Sequence, residues 1–279
     1  MATIELATQY INYVDEIFSA ESKKAFLTND AFSFAGAHSV KVYKVSTAAM
    51  QEYGRGGADS GNWSRYGSVA SLDSTTQTML LSKDRSFTFA VDRMDEDETQ
   101  RALTAAAALA RQVREVVIPE VDSWTYSKMC AGAGFKPTAL ALTTANIYTQ
   151  IITGSKALDN AEVPDTGRFL LVTPDTYFLM KQNSDIIMQT DIGQDMRALG
   201  VVASLDGMTV IRVPAARLPA KFGFMLVHPS STVAPVKLES YKTHIDPPGI
   251  SGDLVEGRVA YDAFVLDNKA KGLYYQAIV

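Results

Sequence analysis

Residues 87–100 read FTFAVDRMDEDETQ, and two periods meet inside them. Phe87, Phe89 and Val91 alternate with Thr88 and Ala90, the two-residue period of a half-buried strand. The chain then runs into RALTAAAALARQVREVV, residues 101–117, where Leu103, Ala106, Ala110, Val113 and Val117 recur at steps of three and four. That is the stripe of an amphipathic helix of strong helix formers, with Arg101, Thr104, Ala108, Arg111 and Glu115 on its far side. Between strand and helix stand five carboxylates, Asp92, Asp95, Glu96, Asp97 and Glu98. Either they bind a hard cation or they open the helix.

Their spacing favours the helix. A calcium loop alternates its ligands and needs a glycine before its last glutamate, and this stretch has neither. Consecutive carboxylates on one helical turn point in different directions, poor geometry for holding one ion. Asp95 as N-cap with Glu98 three residues on approximates a capping box, and acids in a first turn complement the helix dipole. Asp97 and Arg101 add an i,i+4 pair worth about 0.2–0.5 kcal/mol. Pro119 is expected to kink or break the helix, because its ring removes one N–H and clashes with the turn before it. EVDSWTYSKM then resumes a helical pattern through Val121, Trp124 and Met129.

Upstream, SVKVYKVS (39–46) predicts a strand, and TMLL (78–81) is expected to pair with 86–92 across the polar SKDR. Residues 47–75 are rich in Gly, Ser and Asp, too long a connection for an ordinary loop. They predict a two-stranded flap, and because isolated hairpins are marginal in water it must lie on something, such as another subunit. Before the flap, Ile4, Ile11, Val14, Ile17, Phe18 and Phe26 predict an amphipathic arm that needs a partner surface. Downstream, TTANIYTQIITGSKALD predicts a helix opening near Thr144. RFLLVT predicts a strand, running into a helix capped by Thr173 with Pro174 at its first position. Strands on either side of Asp206-Gly207 form a hairpin. FGFMLVHP predicts a buried strand, and GRVAYDAFVLD is expected to pair with GLYYQAIV across NKAK. The class is α+β with mixed sheets.

Few residues offer chemistry. The 279 residues carry a net charge of −5 and 47% hydrophobic residues, which suits a sizeable core and argues against a nucleic-acid grip. No signal peptide and no apolar run of the ~18 residues a membrane span requires are found, so a soluble protein made in a cytoplasm is expected. No phosphate loop, dinucleotide fingerprint or nucleophile elbow occurs; the nearest glycine cluster, GRGG (54–57), precedes no helix. His38, His228 and His244 lack zinc spacing, and His228 before Pro229 suits a strand end. Cys130, the lone cysteine, has no sequence-local base and is expected to be a buried small hydrophobe. No catalytic residue, metal site or cofactor is expected.

Three stretches in order, FTFAVDRMDEDETQ into the helix, GVVASLDGMTVIRVPAARLP and GRVAYDAFVLDNKAKGLYY, together with IPEVDSWTYSKM, resemble the major capsid proteins of tailed bacteriophages with the Hong Kong 97-like fold. The resemblance covers nearly the whole chain. It implies an N-terminal arm at 1–38 and an extended β-hairpin loop at 39–92 lying across a neighbouring subunit. It further implies a peripheral domain with a long spine helix at 93–153, an axial domain at 154–222, and C-terminal strands returning to the peripheral domain at 223–279. Hexamers and pentamers would tile an icosahedral virion shell around double-stranded DNA, with a portal protein and, in some relatives, decoration proteins. This chain opens directly with the arm, whereas some members begin with a cleaved scaffolding segment, so a separate scaffolding protein is expected. Some members cross-link through a lysine in the extended loop; here none occurs between Lys44 and Lys83, and no self-catalysed cross-link is expected. Asp95, Asp97 and Glu98 could then cap the helix and meet flap arginines such as Arg55 or Arg65 of a neighbour. The rival expectations are an encapsulin-like compartment that holds an enzyme cargo, and a carboxylate-dependent metal enzyme centred on 92–98.

Overall fold

Every residue of Phe222–Val227, FGFMLV, is buried. A strand apolar on both faces needs a layer on each side of its sheet. The computed structural model, which describes residues 21–29, 39–57, 64–98, 104–183, 186 and 201–279, supplies both layers. The chain forms two compact units, Gly36–Leu80 and, as the body, Met1–Ala35 with Leu81–Val279.

The body's larger sheet contains five strands: β4 (Phe169–Val172), β5 (Val201–Leu205), β6 (Met208–Arg212), β7 (Phe222–Val227) and β12 (Leu273–Ala277). Their order is β12-β7-β4-β6-β5, with β4 and β6 parallel and every other pair antiparallel. The period of two sends alternate side chains to opposite layers. Leu170, Val172, Phe224 and Leu226 meet Ile147, Ile151 and Leu158 of α5 (Ile147–Asn160) and Met180 of α6 (Pro174–Gln182). Leu171, Met225 and Val227 meet Tyr126, Met129 and Cys130 of α4 (Ile118–Gly132), and Leu27 of α1 (Lys24–Leu27). Gly154 permits the close approach of α5, since a Cβ there would stand 2.6 Å from Leu226.

A second sheet, in the order β3-β10-β9, is antiparallel throughout: β3 (Lys83–Asp92), β9 (Val236–Ile245) and β10 (Gly252–Tyr261). β8 (Thr232–Val233) and β11 (Phe264–Val265) form a short antiparallel pair of their own. Val259 and Tyr261 pack with Val121, and Val117, Trp124 and Tyr241 join them. One helical rod thus serves both sheets. It begins with α3 (Ala105–Gln112), passes through a π-helical turn at Val113–Val117 and continues as α4.

Of the expected kink or break at Pro119, the break does not occur, because the helix runs on through the proline. The wider π turn lies directly before the proline, with Ile118 N–H bonded back to Val113 O, and a looser turn there relieves the clash that a proline ring causes. The hairpin expected between 78–81 and 86–92 does not form either. β2 (Ser74–Leu80) pairs with β1 (Ser39–Val45), and β3 pairs with β10. SKDR lacks the glycine that completes a tight Asp-Gly turn, Lys83, Asp84 and Arg85 already belong to β3, and β3 covers its Phe87, Phe89 and Val91 face inside the three-stranded sheet. Of the segment expected as an extended loop at 39–92, β1 and β2 belong to the smaller unit and β3 to the body. Likewise GRVAYDAFVLD does not pair with GLYYQAIV: NKAK lies in a 3-10 turn, Asp267–Gly272, that delivers β12 to β7 in the other sheet.

Other expectations match the structure. Asp206 (φ 50°) and Gly207 (φ 71°) make the β5–β6 turn, and Thr173 Oγ1 accepts from Thr176 N at 3.1 Å to cap α6. The helix expected near Thr144 starts at Ile147, after Asn146 Oδ1 accepts from Thr143 N. Most of the N-terminal arm and Arg101 lie outside the described residues.

Candidate assembly surfaces

In the smaller unit, β1 and β2 run in register from Ser39 opposite Leu80 to Val45 opposite Ser74. Ser46 N donates to Asp73 O at 2.9 Å, and Asp73 N to Ser46 Oγ at 2.8 Å. Further out, Ser68 N donates to Gln51 Oε1 at 2.7 Å, and Gly54 N to Arg65 O at 2.9 Å. Tyr53 and Tyr66 meet edge to face with centroids 5.0 Å apart. The flap therefore has internal order but little interior. Tyr43, Val45, Met50, Tyr53, Tyr66 and Val69 are all exposed, Met50 at 99%. Exposed apolar side chains gathered on one small unit mark an interaction surface. Arg55 and Arg65 lie on the same unit, and neither makes an ion pair among the described residues.

In the body, the acidic stretch forms α2 (Arg93–Glu98). Its cap is Asp92, whose Oδ1 accepts from Met94 N at 2.8 Å. Asp95 and Glu96 fall in the first turn, where they face the positive end of the helix dipole. Asp97 is exposed and Glu98 is the last helical residue. Arg93 is committed to Asp246, at the turn between β9 and β10. Thr104 caps the long rod instead, accepting from Ala107 N at 3.3 Å. Among the described residues no three His, Cys, Asp or Glu side chains converge to hold a metal.

Two buried carboxylates brace this architecture. Asp262 is 3% exposed and accepts from Trp124 Nε1 at 2.8 Å, Ser82 N at 2.9 Å, Ser82 Oγ at 2.7 Å and Ala263 N at 2.8 Å. Burial pushes its pKa up, but these donors outweigh burial and hold the carboxyl below the ordinary range. Asp122 accepts from Ser22 Oγ at 2.6 Å and Arg217 Nη1 at 2.9 Å, clasping the 21–29 segment to α4. There burial prevails over both partners and raises the carboxyl. Cys130 is buried and its thiol is pushed up to about 12, so it is no nucleophile. His228 ends β7 and its Nδ1 lies 2.7 Å from Ser230 Oγ. Spacing gives no sign that Asp262 meets Trp124, or Asp122 Arg217, because those partners are distant in sequence. The cap at Asp92 was nearer to hand, an aspartate directly before the first helical residue.

This combination of a two-layered mixed sheet, a three-stranded sheet, one long rod and an exposed flap defines a Hong Kong 97-like α+β fold. A model of the phage capsid protein family matches residues 74–276, and the chain belongs to that family. It is a phage capsid protein, a structural component of the virion shell. The structure is similar to that of a chain from Mycobacterium phage Che8 (TM-score 0.74, 17% identity, covering 97% of this chain and 96% of that one). It is also similar to the capsid of cyanophage P-SCSP1u (0.73, 12%, 98% and 93%) and to that of Myoviridae phage XM1 (0.65, 10%, 99% and 99%). No curated protein sequence matches.

Proposed function

We propose that copies of this chain associate as hexamers and pentamers that close into an icosahedral shell around packaged double-stranded DNA, assembling in the bacterial host cytoplasm. The exposed apolar face of the flap carries this reading, because a small unit with so little interior gains its stability from a neighbouring subunit. In this scheme residues 39–92 are the extended loop and the rod is the spine of a peripheral domain at 93–153 that 223–279 completes. Residues 154–222 form the axial domain at the capsomer centre. The net charge of −5 suits a container that holds DNA without gripping it. A portal protein, a separate scaffolding protein and decoration proteins are the partners such a shell takes. Asp95, Asp97 and Glu98 on the body and Arg55 and Arg65 on the flap are the charged groups proposed to bridge copies.

Negative-stain electron microscopy of the expressed chain, alone and with a candidate scaffolding protein, tests this. Closed particles or capsomer-sized rings are expected, and a uniformly monomeric protein would contradict it. Particles that carry genome-length DNA and a portal distinguish the phage shell from an enzyme-filled compartment. A denaturing gel of mature particles should show one band, since no lysine lies between Lys44 and Lys83.

A further inference from the structure

Two ammonium groups share one indole on the rod. Lys83 Nζ lies 4.1 Å and Lys128 Nζ 4.8 Å from the centre of the Trp124 ring, and all three side chains are half-buried. A ring face attracts a cation, but two cations drawn to one ring also repel each other. Neither lysine makes an ion pair among the described residues. The carboxylates close to them are committed elsewhere. Glu120, one turn before Trp124, accepts from Arg85 Nε at 2.8 Å and Tyr261 Oη at 3.0 Å. Asp84, next to Lys83 in β3, is taken by Arg258. No acidic residue lies between Trp124 and Gly132 on α4. In a chain of net charge −5, two cations that meet without a carboxylate mark a place for an anion from outside.

Buried groups hold this place in shape. Trp124 Nε1 donates to Asp262, and the same carboxylate accepts from Ser82 N and Ser82 Oγ, directly before Lys83. One buried side chain thus fixes both the ring on α4 and the start of β3. Lys128 follows Trp124 by four residues, one helical turn, so it shares the ring's face of the rod. The flexible lysine stems let both ammonium groups reach one ligand.

We propose that Lys83 and Lys128 bind a phosphate dianion, free or as a monoester, beside Trp124. Two ammonium groups match two negative charges. A carboxylate or a phosphodiester brings one, whereas a phosphate monoester carries about −1.5 to −2 at neutral pH and offers three acceptor oxygens. The bound anion relieves the repulsion between the lysines and bridges the rod to β3. The site belongs to a single chain and needs no second copy.

The test uses the full-length, unassembled chain with Trp63→Phe, which leaves Trp124 as the sole indole. Its emission is followed as inorganic phosphate, methyl phosphate, dimethyl phosphate, acetate or a short DNA duplex is added at constant ionic strength, with calorimetry as a second reading. Inorganic phosphate should bind saturably with a Kd of about 1 mM, and dimethyl phosphate and acetate about tenfold more weakly or less. Methyl phosphate binding about tenfold tighter than inorganic phosphate identifies a monoester as the source, and equal binding identifies free phosphate. Lys83→Gln with Lys128→Gln should weaken phosphate binding about tenfold or more and keep the thermal midpoint without phosphate within about 2 °C. Lys83→Arg with Lys128→Arg should stay within about threefold of the parent. If the glutamine pair does not fold, Lys83→Met with Lys128→Met replaces it. A flat phosphate titration in both readings, acetate binding as tightly as phosphate, or undiminished binding in the neutral pair overturns the site. So does a duplex that binds through these lysines more tightly than methyl phosphate, which assigns them to nucleic acid instead.

Discussion

Tyr66 in the flap and Tyr126 in the body are the same residue in opposite circumstances, one 79% exposed and the other fully buried. The body places layers on both faces of β7 and joins its five-stranded and three-stranded sheets through one helical rod. The flap spends a comparable share of aromatic side chains on its surface and is held by strand pairing, Gln51–Ser68 bonds and one pair of rings. Burial scales with apolar area removed from water, so the body encloses most of its large apolar side chains, while on the shell reading the flap's apolar area is covered by a second chain.

Removing the flap beyond β1 and β2 should break the comparison most completely. With residues 47–72 replaced by an Asn-Gly turn, the chain should keep its thermal midpoint within a few degrees yet form no particles in microscopy. Loss of the body's cooperative melting would show that the flap stabilises its own chain. The next largest effect concerns packing. Ile151→Ala in the body should cost about 2–5 kcal/mol in denaturant unfolding, since its site is completely buried. Tyr66→Ala should change that number by less than about 0.5 kcal/mol while lowering particle yield.

Smaller still is the brace at Asp262. Asp262→Ala strands the buried donors of Trp124 and Ser82 and should cost about 1–3 kcal/mol. Because the folded carboxyl is held below its unfolded value, near 3.9, its contribution is complete above that pH and is lost as pH falls through the folded value. Asp262→Asn should therefore flatten part of the acid limb of a stability–pH curve. Asp122 works in the opposite sense: its raised carboxyl means that protonation on acidification favours the folded chain. Asp92→Ala removes the α2 cap and should cost about 1 kcal/mol in the same denaturant unfolding, at the low end of the Asp262 loss.

Local period carried the legible part of the fold. The alternation of Phe87, Phe89 and Val91, the Thr173–Pro174 helix start, the Asp206-Gly207 turn and the unbroken FGFMLV each report their own backbone state, because neighbours in sequence dictate it. Partner choice was not legible. β2 pairs with β1 rather than β3, and β12 with β7 rather than β10, since pairing is decided by which apolar faces share a layer. Pro119 misled for a related reason: a π turn five residues long absorbs it, a response invisible in a list of helix formers and breakers. At the candidate surfaces, the acidic stretch was legible as a helix opening, although it is Asp92 rather than Asp95 whose carboxylate accepts from a first-turn N–H, that of Met94. The two buried carboxylates were silent because their partners lie on other elements.

Amide hydrogen exchange on the unassembled chain and on assembled particles tests the dependence of the flap most directly. Amides of β7 and α5 should be protected in both states. Those of residues 47–57 and 64–73 should exchange freely in the unassembled chain and become protected in particles. Equal protection of those flap amides in both states would contradict the account, because the flap would then be stable without a neighbour.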